Sequence, residues 1–136
     1  MNVRNEVQGV IFDQKDGRLV LLVQKKDMRA TAPRWRLLKG GVNEGETEVE
    51  ALKREIFEET GLKNIKIMDQ VHRYEFVFND IRHTVSSFLV KADSREPVRL
   101  QESELAGYIW TSLDNANGLL YWRNEKEAVR KSSHFP

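Results

Sequence analysis

The stretch from Gly40 to Leu62, GGVNEGETEVEALKREIFEETGL, constrains this chain most, because it marks both ends and both faces of one helix. Thr47 followed three residues later by Glu50 has the pattern of a capping box, Ala51, Leu52 and Ile56 favour helix, and Gly61 is a natural residue just past its end. The predicted helix has about three to four turns. At about 100° per residue, Glu48, Ala51, Glu55, Glu58 and Glu59 share one side, next to an apolar stripe of Val49, Leu52 and Ile56. A row of carboxylates therefore borders the face that the helix buries. Like charges three and four residues apart weaken an isolated helix by roughly 0.2–0.5 kcal/mol per pair. Arg54 stands one turn before Glu58 and can pair with it, but one cation does not offset the row. Hard divalent cations such as Mg²⁺ or Mn²⁺ take oxygen ligands, and Mg²⁺ usually binds one or two carboxylates while phosphates and water supply the rest. The row suits a metal and phosphate site, although an acidic helix face alone is ordinarily solvated surface.

The residues around the row decide between the two. Gly40, Glu46, Arg54, Glu55, Ile56, Glu58, Glu59, Gly61 and Leu62 fit G-x5-E-x7-R-E-U-x-E-E-x-G-U, with U a bulky aliphatic residue. This resembles the signature of the Nudix hydrolases at every fixed position. The resemblance implies an α/β/α sandwich with a mixed β-sheet. It also implies hydrolysis of a nucleoside diphosphate linked to another moiety, with Mg²⁺ or Mn²⁺. On this chain it makes Glu55, Glu58 and Glu59 metal ligands, with Glu55 or a nearby carboxylate activating water and Arg54 orienting the carboxylates. The backbone carbonyl of Lys39 is implied as a further ligand. A glutamate a few residues before Trp110 completes the metal shell in similar proteins, which favours Glu104, with Glu102 as the second choice. Leu38 stands where family members commonly have proline, so the loop entering the helix departs slightly from the pattern.

The other segments read mostly as strands. EVQGVIFD from Glu6 to Asp13 and the apolar run LVLLVQ form a predicted hairpin around Lys15-Asp16-Gly17, with Gly9 marking a bulge, a close backbone approach or plain packing. Lys25 to Pro33 reads as an exposed loop, followed by a short apolar segment from Trp35 to Leu38. Two further strands meet at an Asn79-Asp80 turn. Tyr74, Phe76 and Phe78 share a face of the first, expected as core rather than as a stacking surface. Val98 to Gln101 is expected to extend a sheet edge, and Gly107 to Thr111 to form a strand. Ser112 is expected to cap a helix through Asp114 to Leu119, and a last helix covers Arg123 to Lys131. Tyr121 and Trp122, between these helices, are expected to dock the last one onto the sheet. His72, His83 and His134 have no ligand-like spacing.

At 136 residues the chain reads as a single domain, 1–136, with a box at 40–62. With 22 basic and 21 acidic residues, bulk charge favours neither duplex nucleic acid nor an anionic membrane. The absence of cysteine excludes disulfides and a thiol nucleophile. The amino-terminal residues lack an apolar h-region, so the expected location is the cytoplasm and the expected partner a nucleotide-derived small molecule. Lys39 and Arg82, with Lys26 in support, are candidates for holding additional phosphates. WRLLKGGVNEGET and VRLQESELAGYIWTSLDNA resemble the diadenosine tetraphosphate hydrolase branch of the family. Alternatives are a nucleoside triphosphate pyrophosphatase, a sugar-nucleotide hydrolase, an RNA 5′-end pyrophosphohydrolase and, from another class, a non-catalytic nucleotide sensor.

Overall fold

The computed structural model describes residues 2–16, 19–26 and 34–133. Most of the predicted loop from Lys25 to Pro33, Gly17 of the first turn, and His134 lie outside the described residues. The elements are β1 (Asn2–Asp13), β2 (Leu19–Lys25), β3 (Trp35–Arg36), β4 (Leu38–Gly41), α1 (Glu48–Thr60), β5 (Lys66–Phe78), β6 (Ile81–Ala92), β7 (Leu105–Ser112), α2 (Leu113–Leu119) and α3 (Arg123–Ser132).

The strands form one mixed sheet in the order β3-β2-β1-β6-β5, with β4 on β1 and β7 on β2. β1 and β6 run parallel along their whole length, from Asn2↔Ile81 to Asp13↔Ala92, and the other pairs are antiparallel. The predicted first hairpin shrinks to one registered pair, Phe12↔Val20, because β4 takes the earlier half of β1 from Glu6 to Gly9. Gly9 keeps register on both sides without a bulge. A Cβ there would lie 3.3 Å from Ile11 Cγ1, a tight contact, and at ordinary contact distance from Leu52 and Val90.

Period-two alternation splits the buried residues between two faces. Val7, Ile11, Leu21, Leu38, Phe88 and Val90 meet Ala51, Leu52 and Ile56 of α1 on one face. Val10, Val20, Leu22 and Leu37 meet Ala116, Leu120, Ala128 and Val129 of α2 and α3 on the other. Helices on both faces of a mixed sheet make the expected α/β/α sandwich. Each fully buried Leu or Ile contributes about 1.5–3 kcal/mol.

Local chemistry sets the ends of α1. The Thr47 hydroxyl accepts from the Glu50 N–H at 3.1 Å, while the Glu50 carboxylate accepts from the Thr47 N–H at 2.9 Å. At the other end Gly61 takes a left-handed φ of 74° and donates to the Phe57 carbonyl. Thr47→Ala should lower stability by about 1 kcal/mol in a denaturant titration.

Three expectations change. Val98 to Gln101 is not a strand: the N–H groups of Arg99 and Gln101 donate to the Thr60 and Glu59 carbonyls at 2.7 and 3.0 Å. A helix end leaves such carbonyls without partners, and the segment satisfies them in place of a sheet edge. Tyr74 and Phe76 are half-buried and Phe78 is exposed, and none belongs to either core. The helices do not cover that end of the sheet, where Val3, Val77 and Phe78 are also open. Tyr121 and Trp122 do not dock α3 either, since they are 55% and 47% exposed. Leu120, Ala128 and Val129 do so instead.

Candidate active site

The loop and helix that carry the acidic row are joined by Arg54. Its Nε and Nη2 donate to the two oxygens of Glu46 at 2.7 and 2.9 Å, its Nη1 donates to Glu55 at 2.9 Å and Glu58 at 3.2 Å, and Nη2 also donates to the Gly41 carbonyl. The hydrogen bond with Glu46, followed by those with the helix carboxylate, pushes the guanidinium still higher above its ordinary range. One arginine thus fixes the loop, two carboxylates and the strand before them.

Gly40 lies directly against Glu55. A Cβ at Gly40 would stand 2.1 Å from the Glu55 Cδ, well inside contact distance. Only a residue without a side chain leaves the carboxylate where it is, which accounts for a glycine at this position without invoking an unusual backbone angle.

Glu59 is the unusual member of the row. It is 5% exposed, and its Oε2 is buried with no hydrogen-bond partner among the described residues. Burial, then the charge of Glu55, and also those of Glu104 and Glu58, push its pKa up to about 7, while Lys25 opposes them. A buried carboxylate oxygen without a partner is costly, and groups with strongly shifted pKa values gather at functional sites.

Among the described residues no three acidic or histidine side chains already form a closed metal cage, and Glu55 and Glu58 are turned towards Arg54. The donor set nevertheless fits a hard divalent cation: it offers only oxygens, includes one orphaned carboxylate oxygen, and leaves positions for phosphate and water. Glu55, Glu58 and Glu59 would hold the cation, with the Lys39 carbonyl and Glu104 as further candidates. Glu104 is the last residue of the turn before β7, its carbonyl accepts from the Lys26 N–H, and its charge is felt at Glu59. Glu102 is exposed on the same loop, as Glu104 is, but is not among the charges that raise Glu59. Glu104→Gln is therefore expected to lower the turnover rate several-fold and Glu102→Gln to leave it within about twofold; the reverse order would transfer the role to Glu102.

The two candidates for extra phosphates do not come together. Register and alternation place Gly40 on the α1 face of β4 and the Lys39 side chain on the opposite face, beside Gln8. Arg82 is exposed at the far end of β6, opposite Val3 and Val77, and its side chain alternates with that of His83. Lys39 instead joins a group around Glu6: its Nζ is 3.6 Å from a Glu6 oxygen, with Arg4 Nε at 3.7 Å and His83 Nδ1 at 2.7 Å from the same carboxylate. Burial lowers the Lys39 pKa, opposed by the Glu6 charge. The Lys39 ammonium also sits 4.9 Å from the Phe76 ring centroid, and Phe76 stacks on His83 at 4.5 Å.

Sequence reasoning did not find Arg4, Glu6, His83, Arg36 or Glu125. Arg4, Glu6 and Gln8 are alternate residues of β1, so their shared face was available from periodicity, but their partners across the sheet were not.

The structure is thus a layered α/β/α fold in which an arginine-tied acidic helix packs against a glycine. A family model for the NUDIX domain matches residues 3–132, and the chain belongs to that family. It is similar to the solved structure of an Ap4A hydrolase from C. elegans, with a TM-score of 0.82 and 24% identity, covering 97% of this chain and 96% of that one. A MutT protein from Methanosarcina mazei Go1 has a TM-score of 0.78 and 24% identity over 97% of this chain and 94% of that one. An RNA pyrophosphohydrolase from Helicobacter pylori is 44% identical over 57 residues, 40% of this chain and 36% of that protein. The chain spans about a third of the length of such curated relatives. Among the described residues no helix is long and apolar enough to cross a membrane.

Proposed function

We propose that this protein is a divalent-metal-dependent pyrophosphohydrolase that cuts a phosphoanhydride bond in a nucleotide carrying further phosphates. The observation that carries the reading is the orphaned oxygen of Glu59, buried in a row of carboxylates that Arg54 and Gly40 hold in place. A cation at this row would neutralise charge developing on phosphoryl oxygens and make water more acidic. Arg54 keeps Glu55 and Glu58 at fixed positions, so little reorganisation is needed as charge develops. Glu55 or a neighbouring carboxylate accepts the proton of the attacking water. The water oxygen bonds to phosphorus, and the bridging oxygen leaves with the departing phosphate.

A dinucleoside polyphosphate such as diadenosine tetraphosphate is the favoured substrate. The exposed pair Tyr121 and Trp122, whose rings meet edge to face at 4.8 Å, is an aromatic surface that supports it. Base stacking on such rings contributes about 1–3 kcal/mol per base. The second reading is removal of pyrophosphate from an RNA 5′ end, and the curated relatives matched over part of the chain favour it. The test is a competition between diadenosine tetraphosphate, nucleoside triphosphates, a sugar nucleotide and 5′-triphosphorylated RNA under one metal condition, with products resolved by chromatography. The expected result is the highest kcat/KM for the dinucleotide, cut into ATP and AMP. Higher turnover of the RNA would favour the second reading. No turnover of any member would leave a nucleotide sensor.

A further inference from the structure

On the α3 side of the sheet, one carboxylate is completely enclosed. Glu125, in the first turn of α3, has no exposed surface. One of its oxygens accepts from Arg36 Nε at 2.7 Å, and the other accepts from the Leu37 N–H and Gln8 Nε2, both at 2.9 Å. The Gln8 side-chain oxygen in turn accepts from the Ser87 and Tyr74 hydroxyls. Burial raises the Glu125 pKa, while the adjacent Arg36 charge opposes the rise.

A buried ion pair is a weak way to hold a fold together, because an apolar pair of equal volume usually serves stability as well or better. What this pair does supply is orientation. Arg36 is fastened through Nε alone, and among the described residues its two Nη groups have no partner. Its side chain is 23% exposed, and the guanidinium carbon lies 5.8 Å from the ring of Trp122, which is half-exposed. Arg34 sits 3.7 Å over Tyr121 beside it. Because Glu125 offsets its charge, Arg36 offers a rigid pair of directed N–H donors rather than a general attraction for anions. Such a fork next to a stacking ring matches two neighbouring acceptors on the edge of a flat heterocycle. Guanine presents that pair as O6 and N7, whereas adenine places an amino donor where O6 would be.

We propose that Arg36 is a specificity-determining residue that reads the O6/N7 edge of a guanine base next to Trp122, and that Glu125 is the positioning residue that aims it. The proposal rests on reading the protein as a nucleotide hydrolase, and within the class of dinucleoside polyphosphates it selects members that seat guanine next to Trp122. Its test needs no turnover: isothermal titration of GMP and of AMP into the metal-free protein. The wild type is expected to bind GMP about tenfold more tightly than AMP. Arg36→Lys keeps a cation for Glu125 but removes the fork, and is expected to bring the ratio below twofold by weakening GMP. Glu125→Gln leaves Arg36 in place but unaimed, and is expected to reduce the ratio as well, a change that a purely structural role would not produce. Melting temperatures show whether each variant is folded. Equal affinity, a preference for AMP, or no detectable binding of either nucleotide by the wild type overturns the proposal, as does an unchanged ratio in folded Arg36→Lys. A guanine preference without hydrolysis of any substrate would overturn the enzymatic reading alone, and hydrolysis without a base preference would overturn this one alone.

Discussion

Glu55→Gln, Glu58→Gln and Glu59→Gln are each expected to slow hydrolysis, by on the order of 10² or more for the most severe, with the fold intact. The substitution is nearly isosteric, so it tests charge and ligand character rather than packing. The three differ in what they lose. Glu55 and Glu58 accept charged hydrogen bonds from Arg54 at 2.9 and 3.2 Å, so their replacement also loosens that arginine. Glu59 accepts none at its Oε2, and its removal leaves the Arg54 network untouched. The metal-free melting temperature is therefore expected to rise for Glu59→Gln and not for the other two. Steady-state rates and melting curves on the three purified variants decide the matter. Near-normal rates in all three folded variants would sink the assignment of the row as the reacting centre.

The second large effect concerns pH in the metal-free protein. Burial and neighbouring charge raise Glu59 from an ordinary 4.5 to about 7. A carboxyl group whose pKa is higher in the folded state than in the unfolded one binds more protons when folded between those two values. Its contribution is fully present below about pH 4.5 and is lost as pH rises through about 7. At pH 8 the folded protein must hold the charged form among Glu55, Glu58 and Glu104, at a penalty of about 3 kcal/mol relative to pH 4. Other carboxylates titrate over the same range, so the diagnostic quantity is the difference between wild type and Glu59→Gln. In urea titrations without metal, that difference should grow from near zero at pH 4 to about 3 kcal/mol at pH 8 in favour of the glutamine variant. A difference independent of pH would mean that Glu59 ionises normally.

What the sequence disclosed divides by the range of the interactions involved. The helix from Thr47 to Gly61 was legible because its cap, its left-handed terminus and its acidic face are each settled within a few residues. The carboxylates' shared side followed from the same local period. Glu125 was illegible for the opposite reason: its partners Gln8, Arg36 and Leu37 lie 117, 89 and 88 residues away in the chain. In the sequence it is one more glutamate at the start of a charged helix. Tyr74 and Phe76 show a related limit, since alternation tells which residues share a face but not whether a helix reaches far enough to cover it. Lys39 and Arg82 were grouped by charge, and strand register separated them.

The backbone bonds from Arg99 and Gln101 to the last carbonyls of α1 have a dynamic consequence. They splice the loop that carries Glu104 onto the end of the helix that carries Glu59. Glu104 cannot swing outward as an independent flap unless those two bonds break, and breaking them exposes the carbonyls of Thr60 and Glu59 themselves. Opening of the loop therefore carries the cost of two helix-end hydrogen bonds, while the helix keeps its own closing bond from the Gly61 N–H to the Phe57 carbonyl. Glu104 is thereby tethered beside Glu59 by the backbone rather than by its own side chain.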